Sequence, residues 1–166
     1  MQPRSEVIYV TLLQGVLADR DKWSAVGECA IEKTMAVLGT KSAMLILREA
    51  YYGTTRFDDF ARRVGITKAA TSARLAELVD LGLLTRRPYR EPGQRSRDEY
   101  VLTDAGIDFM PVIWAMFEWG RQHLPGQNRL RLIHQGCGAE ASVEIRCKEG
   151  HLVPAEELGM RLVKSR

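Results

Sequence analysis

The side chains with the clearest chemistry are basic residues concentrated in the middle of the chain. Between Thr55 and Arg97 there are ten lysines and arginines against five aspartates and glutamates, whereas the net charge of the whole 166-residue chain is only +3. Each cation that neutralises a DNA phosphate releases counterions, so this cluster suits binding to duplex DNA. A solvated basic face is the alternative that charge alone leaves open. The candidate phosphate contacts are Arg56, Arg62, Arg63, Lys68, Arg74, Arg95 and Arg97.

Two short helices joined by a glycine turn must position most of these side chains. Thr55 and Asp58 have the spacing of a capping box, and Gly65 is suited to the turn that ends the first helix. Thr67 then caps a second helix, over about residues 67–80, with Leu75 on its buried side. This arrangement is typical of a helix-turn-helix, whose second helix lies in the major groove of DNA. The residues predicted to face DNA are Thr67, Lys68, Ala69, Ser72 and Ala73, with Arg74 beside the flanking backbone.

Two strands and a basic loop follow the second helix. Residues 83–89 and 99–102 are predicted strands, and the loop over 90–97 contains Pro92 and Gly93. A helix-turn-helix followed by such a hairpin is a winged helix, so the predicted fold is mainly α with a small β-hairpin wing, an α+β arrangement. We expect the arginines of the loop to follow phosphates, with entry into a minor groove as the alternative.

The N-terminal segment has an ambiguous pattern. Ile8, Leu12 and Val16 recur at four-residue spacing, which predicts an amphipathic helix ending near Asp19. A β-branched run over residues 7–11 favours a strand instead.

Further helices are predicted on both sides of the helix-turn-helix, over residues 28–38, 41–51 and 104–124. Pro111 should kink or break the last of these. Weak alternation in residues 130–133 and 143–146 predicts a small hairpin in the tail. The predicted organisation is an N-terminal helical extension over 1–28 for dimerisation, a winged helix-turn-helix domain over 29–124 and a tail over 125–166.

Eight fragments keep a characteristic order and spacing: Gly39–Glu49, Arg56–Phe60, Gly65–Thr67, Arg74–Leu78, Leu81–Leu84, Arg86–Tyr89, Glu99–Gly106 and Trp119–Gly120. Together, over about Cys29 to Leu124, they resemble the HxlR-type winged helix-turn-helix transcriptional regulators. The resemblance implies a bacterial, dimeric, DNA-binding regulator whose terminal helices form the dimer interface. It also implies that some members sense oxidants or electrophiles through an N-terminal cysteine. Three residues depart from the family pattern, namely Ser42, where Trp is usual, Thr71, where a buried Leu is common, and Ala73, where a polar residue is frequent.

The aromatic side chains of the C-terminal helix favour a homodimer. A helix this apolar at the end of so small a domain has little left to pack on, although packing within its own core is the alternative. A two-fold dimer would place two recognition helices on a pseudo-palindromic operator in double-stranded DNA. We therefore expect a transcriptional regulator, acting as a repressor, and keep a winged-helix protein-interaction module as the alternative function. The predicted interface residues are Leu12, Val16, Ile113, Trp114, Phe117 and Trp119.

The cysteines and histidines are the remaining reactive side chains. Cys29 is the redox candidate, because a helix N-terminus favours a thiolate, although Glu28 and Glu32 oppose this and a buried, inert cysteine is the alternative. Two ligand pairs in the tail have spacings suited to tetrahedral zinc, with metal-free packing of the tail as the alternative. These pairs are His134 with Cys137 and Cys147 with His151. No cofactor and no bound metal are predicted.

Several function classes are not supported by any motif in the chain. There is no phosphate loop, nucleophile elbow or His-Glu-x-x-His pattern, so we expect no catalytic residues and no enzyme. No apolar stretch is long enough to span a bilayer, and Met1 to Trp23 lacks the form of a secretory signal. The expected location is the cytoplasm, with a small molecule or an oxidant as the candidate effector.

Overall fold

The computed structural model describes residues 12–126 and 128–163, which fall into two compact units. The larger unit is Ala30–Val143, and the smaller combines residues up to Cys29 with residues from Glu144 onwards. The elements in chain order are β1 (Leu12–Leu13), α1 (Ala30–Leu38), α2 (Lys41–Tyr51), α3 (Phe57–Val64), α4 (Lys68–Asp80), β2 (Leu84–Tyr89), β3 (Arg97–Leu102), α5 (Asp104–Asp108), α6 (Met110–His123) and β4 (Gly159–Met160).

Helix α2 lies at the centre of the larger unit, as its nearly continuous apolar run predicts. Its Ile46 and Leu47 are fully buried and pack with Phe60 of α3 and Leu75 of α4. The helix begins at a cap in which the Thr40 hydroxyl oxygen accepts a hydrogen bond from the Ala43 N–H, 3.2 Å away. The helix-turn-helix is therefore held against a closely packed apolar core.

The buried Thr71 of α4 occupies a position where the resembling family commonly has leucine. Its side chain is fully buried, and its hydroxyl donates a hydrogen bond to the Thr67 carbonyl at 2.9 Å. A buried hydroxyl is costly only when it has no partner, so this bond removes most of the penalty. The departure from the family pattern is accommodated within α4 itself.

Strands β2 and β3 form the predicted wing. They pair antiparallel, with Leu84 opposite Leu102 at the base and Tyr89 opposite Arg97 at the tip. Helix α5 packs closely on this base, because a Cβ at Gly106 would collide with the Leu83 carbonyl. The Tyr51 hydroxyl of α2 donates to the Gly106 carbonyl at 2.6 Å, and burial raises the pKa of Tyr51 to about 12.

The C-terminal helix is divided at the place that Pro111 predicts. Helix α5 ends at Asp108, Phe109 links the two segments, and Pro111 lies in the first turn of α6. A proline in a first turn gives up no hydrogen bond, because the first N–H groups of a helix have no partner within it. The predicted break is confirmed.

The predicted helix ending near Asp19 is wrong for the residues that the structure describes. Leu12 and Leu13 form β1, which pairs parallel with β4, and two short 3₁₀ turns follow at Gly15–Ala18 and Arg20–Lys22. Gly15 has φ +63°, a left-handed conformation that interrupts an α-helix at this point. Ile8 and the rest of residues 1–11 lie outside the described part of the chain.

The first turn of the tail lies earlier in the chain than the alternation of apolar and polar residues predicts. Ile133 pairs with Glu140 across a turn, instead of residues 130–133 pairing with 143–146. A second isolated bridge joins Arg146 to Leu152. Each turn contains a left-handed glycine, Gly138 in the first and Gly150 in the second. Across residues 12–126 and 128–163, no helix has the length and hydropathy that crossing a membrane requires.

Candidate nucleic-acid interface

Helix α4 exposes the face that its sequence predicts. Leu75 and Leu78 are buried, so helical spacing leaves the opposite face in solvent. The helix begins at Thr67, whose hydroxyl oxygen accepts a hydrogen bond from the Ala70 N–H at 3.2 Å. The residues predicted to face DNA are all exposed, namely Thr67, Lys68, Ala69, Ser72 and Ala73. This face is free to enter a groove without any rearrangement of the helix.

The turn between α3 and α4 fixes the angle between the two helices. Gly65 has φ +73°, and its N–H donates to the Ala61 carbonyl at 3.0 Å. Ile66 follows in the turn and packs against the core. A side chain with a Cβ is strained in this backbone conformation, so glycine is required here.

The basic residues of the helix-turn-helix are largely paired within the protein. Lys68 Nζ lies 2.8 Å from an oxygen of Asp58, and Arg62 lies 2.6 Å from an oxygen of Asp59. Arg74 forms an ion pair with Glu77 one turn later on α4. These partners are distant in the sequence or on neighbouring turns, so a count of charges along the chain does not reveal the pairs. Exposed ion pairs are weak in water, so a DNA phosphate can replace the carboxylate partner.

The loop of the wing presents Arg95 and Arg97 to solvent. Arg95 lies in the loop and Arg97 begins β3. The loop is braced by a hydrogen bond from Arg90 Nε to the Gln94 carbonyl at 3.1 Å, and Gly93 adopts φ +77° within it. Both arginines are therefore available to an anionic partner along the edge of the wing.

Arg56, a predicted phosphate contact, is engaged inside the domain. Its guanidinium stacks on the Tyr89 ring, 3.1 Å from the ring centroid, and Nη1 lies 3.5 Å from an oxygen of Glu99. Arg87 donates to the other oxygen of Glu99 at 2.7 Å. The backbone continues this link, because the Tyr100 N–H donates to the Thr55 carbonyl at 2.8 Å. Arg56 thus connects the start of α3 to the wing.

Glu99 is the centre of this connection, and sequence reasoning missed it. The hydrogen bond from Arg87 is the main cause that holds the pKa of Glu99 below its usual value, with the Thr55 hydroxyl and Arg56 contributing. The carboxylate therefore stays ionised, and the wing remains tied to the helix-turn-helix at neutral pH. Alternation along β3 places Glu99 on the face opposite Tyr100 and Leu102, which pack against the core, so the strand pattern alone did not indicate this role.

An apolar surface, which we call the α1/α6 face, lies beside the core of the larger unit. Its exposed members are Ile31 and Met35 of α1 together with Val112, Met116 and Trp119 of α6. Between the two helices is a groove of about 790 Å³, floored by Met44, Leu45 and Phe109. Contiguous exposed apolar side chains of this kind mark an interaction surface.

The residues predicted for a dimer interface fall in different environments. Ile113 is buried in the core of its own unit, and Trp114 packs on Tyr51 and Tyr52, with ring centroids 6.3 and 5.9 Å away. Phe117 meets Trp114 edge to face and is half-buried. In contrast, Trp119 is exposed, and so are Leu12 and Val16 of the smaller unit. The helical pattern identified α6 as apolar but did not distinguish its two apolar sides.

The thiols and imidazoles of the tail remain near the surface. His134 Nδ1 lies 3.2 Å from Cys137 Sγ, and the Cys147 N–H donates to the His151 carbonyl at 3.0 Å. Residues 12–126 and 128–163 contain no group of three or more potential metal ligands gathered at one point. Cys29 is half-buried just before α1.

Taken together, the glycine turn, the exposed face of α4 and the arginine-bearing wing define a winged helix-turn-helix. Comparison with known proteins agrees with this class. The family model of the HxlR-like helix-turn-helix matches residues 37–128. The chain is 37% identical over 120 residues to the HTH-type transcriptional regulator MT3179 of Mycobacterium tuberculosis, covering 71% of this chain and 75% of that protein. It is 30% identical over 96 residues to YdeP of Bacillus subtilis, covering 57% of this chain and 73% of YdeP.

Solved structures show the same architecture. PA1607, described as a transcription factor, superposes with a TM-score of 0.71 at 29% identity, over 85% of this chain and 98% of that one. The redox regulator HypR in its reduced form superposes with a TM-score of 0.51 at 29% identity, over 57% and 92% of the two chains. The chain belongs to the HxlR-like helix-turn-helix family. It is a DNA-binding transcriptional regulator and not an enzyme.

Proposed function

We propose that the protein binds double-stranded DNA as a homodimer, with α4 of each protomer in the major groove of one half of a pseudo-palindromic operator. The observation that carries this proposal is the exposed face of α4, where Lys68, Ala69, Ser72 and Ala73 are adjacent and accessible. An α-helix fits the major groove, and the first turns of a recognition helix reach the base edges.

The residues on this face suit a modest reading of base sequence. Lys68 can donate to a guanine edge, and the methyl groups of Ala69 and Ala73 can contact thymine. Ser72 accepts several bases, so these four residues alone specify few positions. The sequence-dependent shape of DNA supplies the rest of the specificity.

The wing is proposed to hold the protein on the DNA backbone. Arg95 and Arg97 are exposed along its edge and can each neutralise a phosphate. Contacts of this kind fix the register of α4 without reading sequence. Insertion of the loop into a minor groove is the alternative, and it predicts a preference for A·T-rich flanks.

Dimerisation is proposed through the α1/α6 face. Ile31, Met35, Val112 and Met116 are exposed in the isolated chain, and a two-fold partner that presents the same face would bury them. To bind half-sites one helical turn apart, such a dimer must hold its two α4 helices about 34 Å apart. Trp119, exposed on the same helix, would join this interface.

A salt titration separates DNA binding from the alternative, a winged helix that binds proteins. We expect the affinity for a duplex to fall about a thousandfold or more between roughly 0.05 and 0.2 M salt if a dimer contacts six or more phosphates. Binding to a protein partner through the same domain would depend little on salt. A flat response in the DNA titration therefore contradicts the proposed function.

The proposed effector is an oxidant, with a small molecule as the alternative. The observation that favours it is the similarity to HypR, a redox regulator. Cys29 is the proposed sensor, because it is half-buried and directly precedes α1, which carries part of the α1/α6 face.

We expect the Cys29→Ser variant to bind DNA normally and to lose any response to mild oxidants. The response is measured as the affinity for the operator before and after treatment with the oxidant. A retained response excludes Cys29.

Repression is the proposed outcome of operator binding, because a dimer that covers a promoter blocks polymerase. Transcription in vitro from a promoter that carries the selected operator should therefore fall as protein is added. An increase would identify an activator instead.

Binding to chromosomal DNA would place the protein in the cytoplasm.

A further inference from the structure

An ion pair joins the first turn of α3 to the first turn of α4, at the end of the helix-turn-helix that is proposed to face DNA. Asp58 lies in the first turn of α3, and Lys68 is the first residue of α4. Lys68 Nζ is 2.8 Å from Asp58 Oδ1, and the side chains of Lys68 and Asp58 are 77% and 64% exposed. The pair is thus formed across the turn and remains open to a ligand from outside.

Asp58 is ionised whenever the protein is near neutral pH. The hydrogen bond from Lys68 and the charge of Lys68 are the main causes that lower the pKa of Asp58, and Arg97 of the wing contributes. A carboxylate on the DNA side of a basic domain repels every phosphate that approaches it. Asp58 therefore weakens binding to DNA of any sequence. Tight binding to an operator then requires that the operator offer this carboxylate a favourable contact.

The major-groove edge of a G·C base pair is chemically complementary to the Lys68–Asp58 ion pair. Guanine presents two acceptors, N7 and O6, and the cytosine of the same pair presents the N4 amino donor beside them. An ammonium group and a carboxylate 2.8 Å apart offer the complementary donor and acceptor. An A·T pair instead presents its N6 amino donor between two acceptors, N7 and O4, so an adjacent ammonium and carboxylate would leave one of these acceptors unmatched.

We propose that Asp58 is a specificity-determining residue, which with Lys68 reads one G·C base pair in each half-site and disfavours DNA that lacks it. On other sequences the Asp58 carboxylate meets no amino donor on a base, and its repulsion of the DNA phosphates weakens binding. This inference rests on the proposed placement of α4 in the major groove.

Asp59→Asn provides a matched control for Asp58→Asn. Both substitutions remove one negative charge from adjacent residues in the first turn of α3, and Asp59 pairs with Arg62 on its own helix. We expect Asp58→Asn to bind a random-sequence 30-base-pair duplex about fivefold more tightly than the wild type at about 0.1 M salt, as one removed repulsion allows. Asp59→Asn should change that affinity by less than about twofold.

Selection of bound sequences from a random pool gives the second readout. Asp58→Asn and Lys68→Gln should both lose the preference for the same G·C pair, while Asp59→Asn keeps it. A merely structural role for Asp58 would not alter one base position. Equal behaviour of Asp58→Asn and Asp59→Asn in both assays overturns the inference, and so does an unchanged G·C preference in Asp58→Asn. If the wild type itself enriches no sequence, the proposed function fails as well, which distinguishes the two failures.

Discussion

Ser72→Glu is expected to weaken binding to duplex DNA by at least about a hundredfold, equivalent to about 2.7 kcal/mol. Ser72 lies on the exposed face of α4, one turn after Lys68, so a glutamate there would meet base edges and phosphates inside the major groove. The free protein should tolerate the change, because the side chain contacts solvent. Affinity is measured by fluorescence anisotropy with a labelled duplex, and folding by the thermal unfolding midpoint.

Gln122→Glu is the control for this substitution. Gln122 is also exposed on a helix of the larger unit, but α6 is not proposed to contact DNA. Gln122→Glu changes the net charge by the same amount as Ser72→Glu. It acts only through the electrostatic field of the whole protein, so it should reduce the affinity for DNA by no more than about threefold. If Ser72→Glu and Gln122→Glu weaken binding equally, α4 does not enter the groove.

Met116→Glu is expected to convert the dimer to a monomer and to reduce affinity for a two-half-site operator by at least about a hundredfold. Met116 is 53% exposed in the isolated chain, so the protomer should fold with glutamate there. In the proposed dimer the same carboxylate would be buried among apolar side chains, at a cost of several kcal/mol. The mass is measured by sedimentation velocity at micromolar concentration.

Ile133→Glu is the control for the dimer variant. Ile133 is 52% exposed, almost the same fraction as Met116, and lies outside the α1/α6 face. It should sediment as a dimer and retain operator affinity. A dimeric Met116→Glu protein, or a monomeric wild type that still binds a two-fold site, would contradict the proposed interface.

The helix-turn-helix and its wing could be predicted from sequence because their signals are local. A threonine cap at Thr67, a glycine at Gly65 and the buried spacing of Leu75 each depend on a few neighbouring residues, and each appears in the structure where it is expected. The outward face of α4 followed directly from these positions.

The electrostatic partners could not be predicted because they are distant in sequence. Arg56 meets Glu99 only after β3 returns beside the start of α3, and Lys68 meets Asp58 only after the turn at Gly65. A count of charges therefore treated Arg56 as free for DNA when it binds the wing. Sequence could not predict the packing of α6 either. Ile113 and Met116 are both apolar, and only tertiary packing decides that Ile113 is the buried one.

The prediction of a helix ending near Asp19 was wrong for a different reason. Leu12 and Val16 have helical spacing, but Gly15 lies between them in a left-handed conformation, and the backbone of Leu12 bonds to that of Leu158 in the tail. Pairing with a remote segment overrode the local period.

Selection of bound duplexes from a random pool at about 0.15 M salt tests the central claim, that α4 and the wing bind DNA sequence-specifically as a dimer. We predict enrichment of a two-fold-symmetric site whose half-sites are separated by about ten base pairs. Absence of enrichment at any salt concentration would contradict the account.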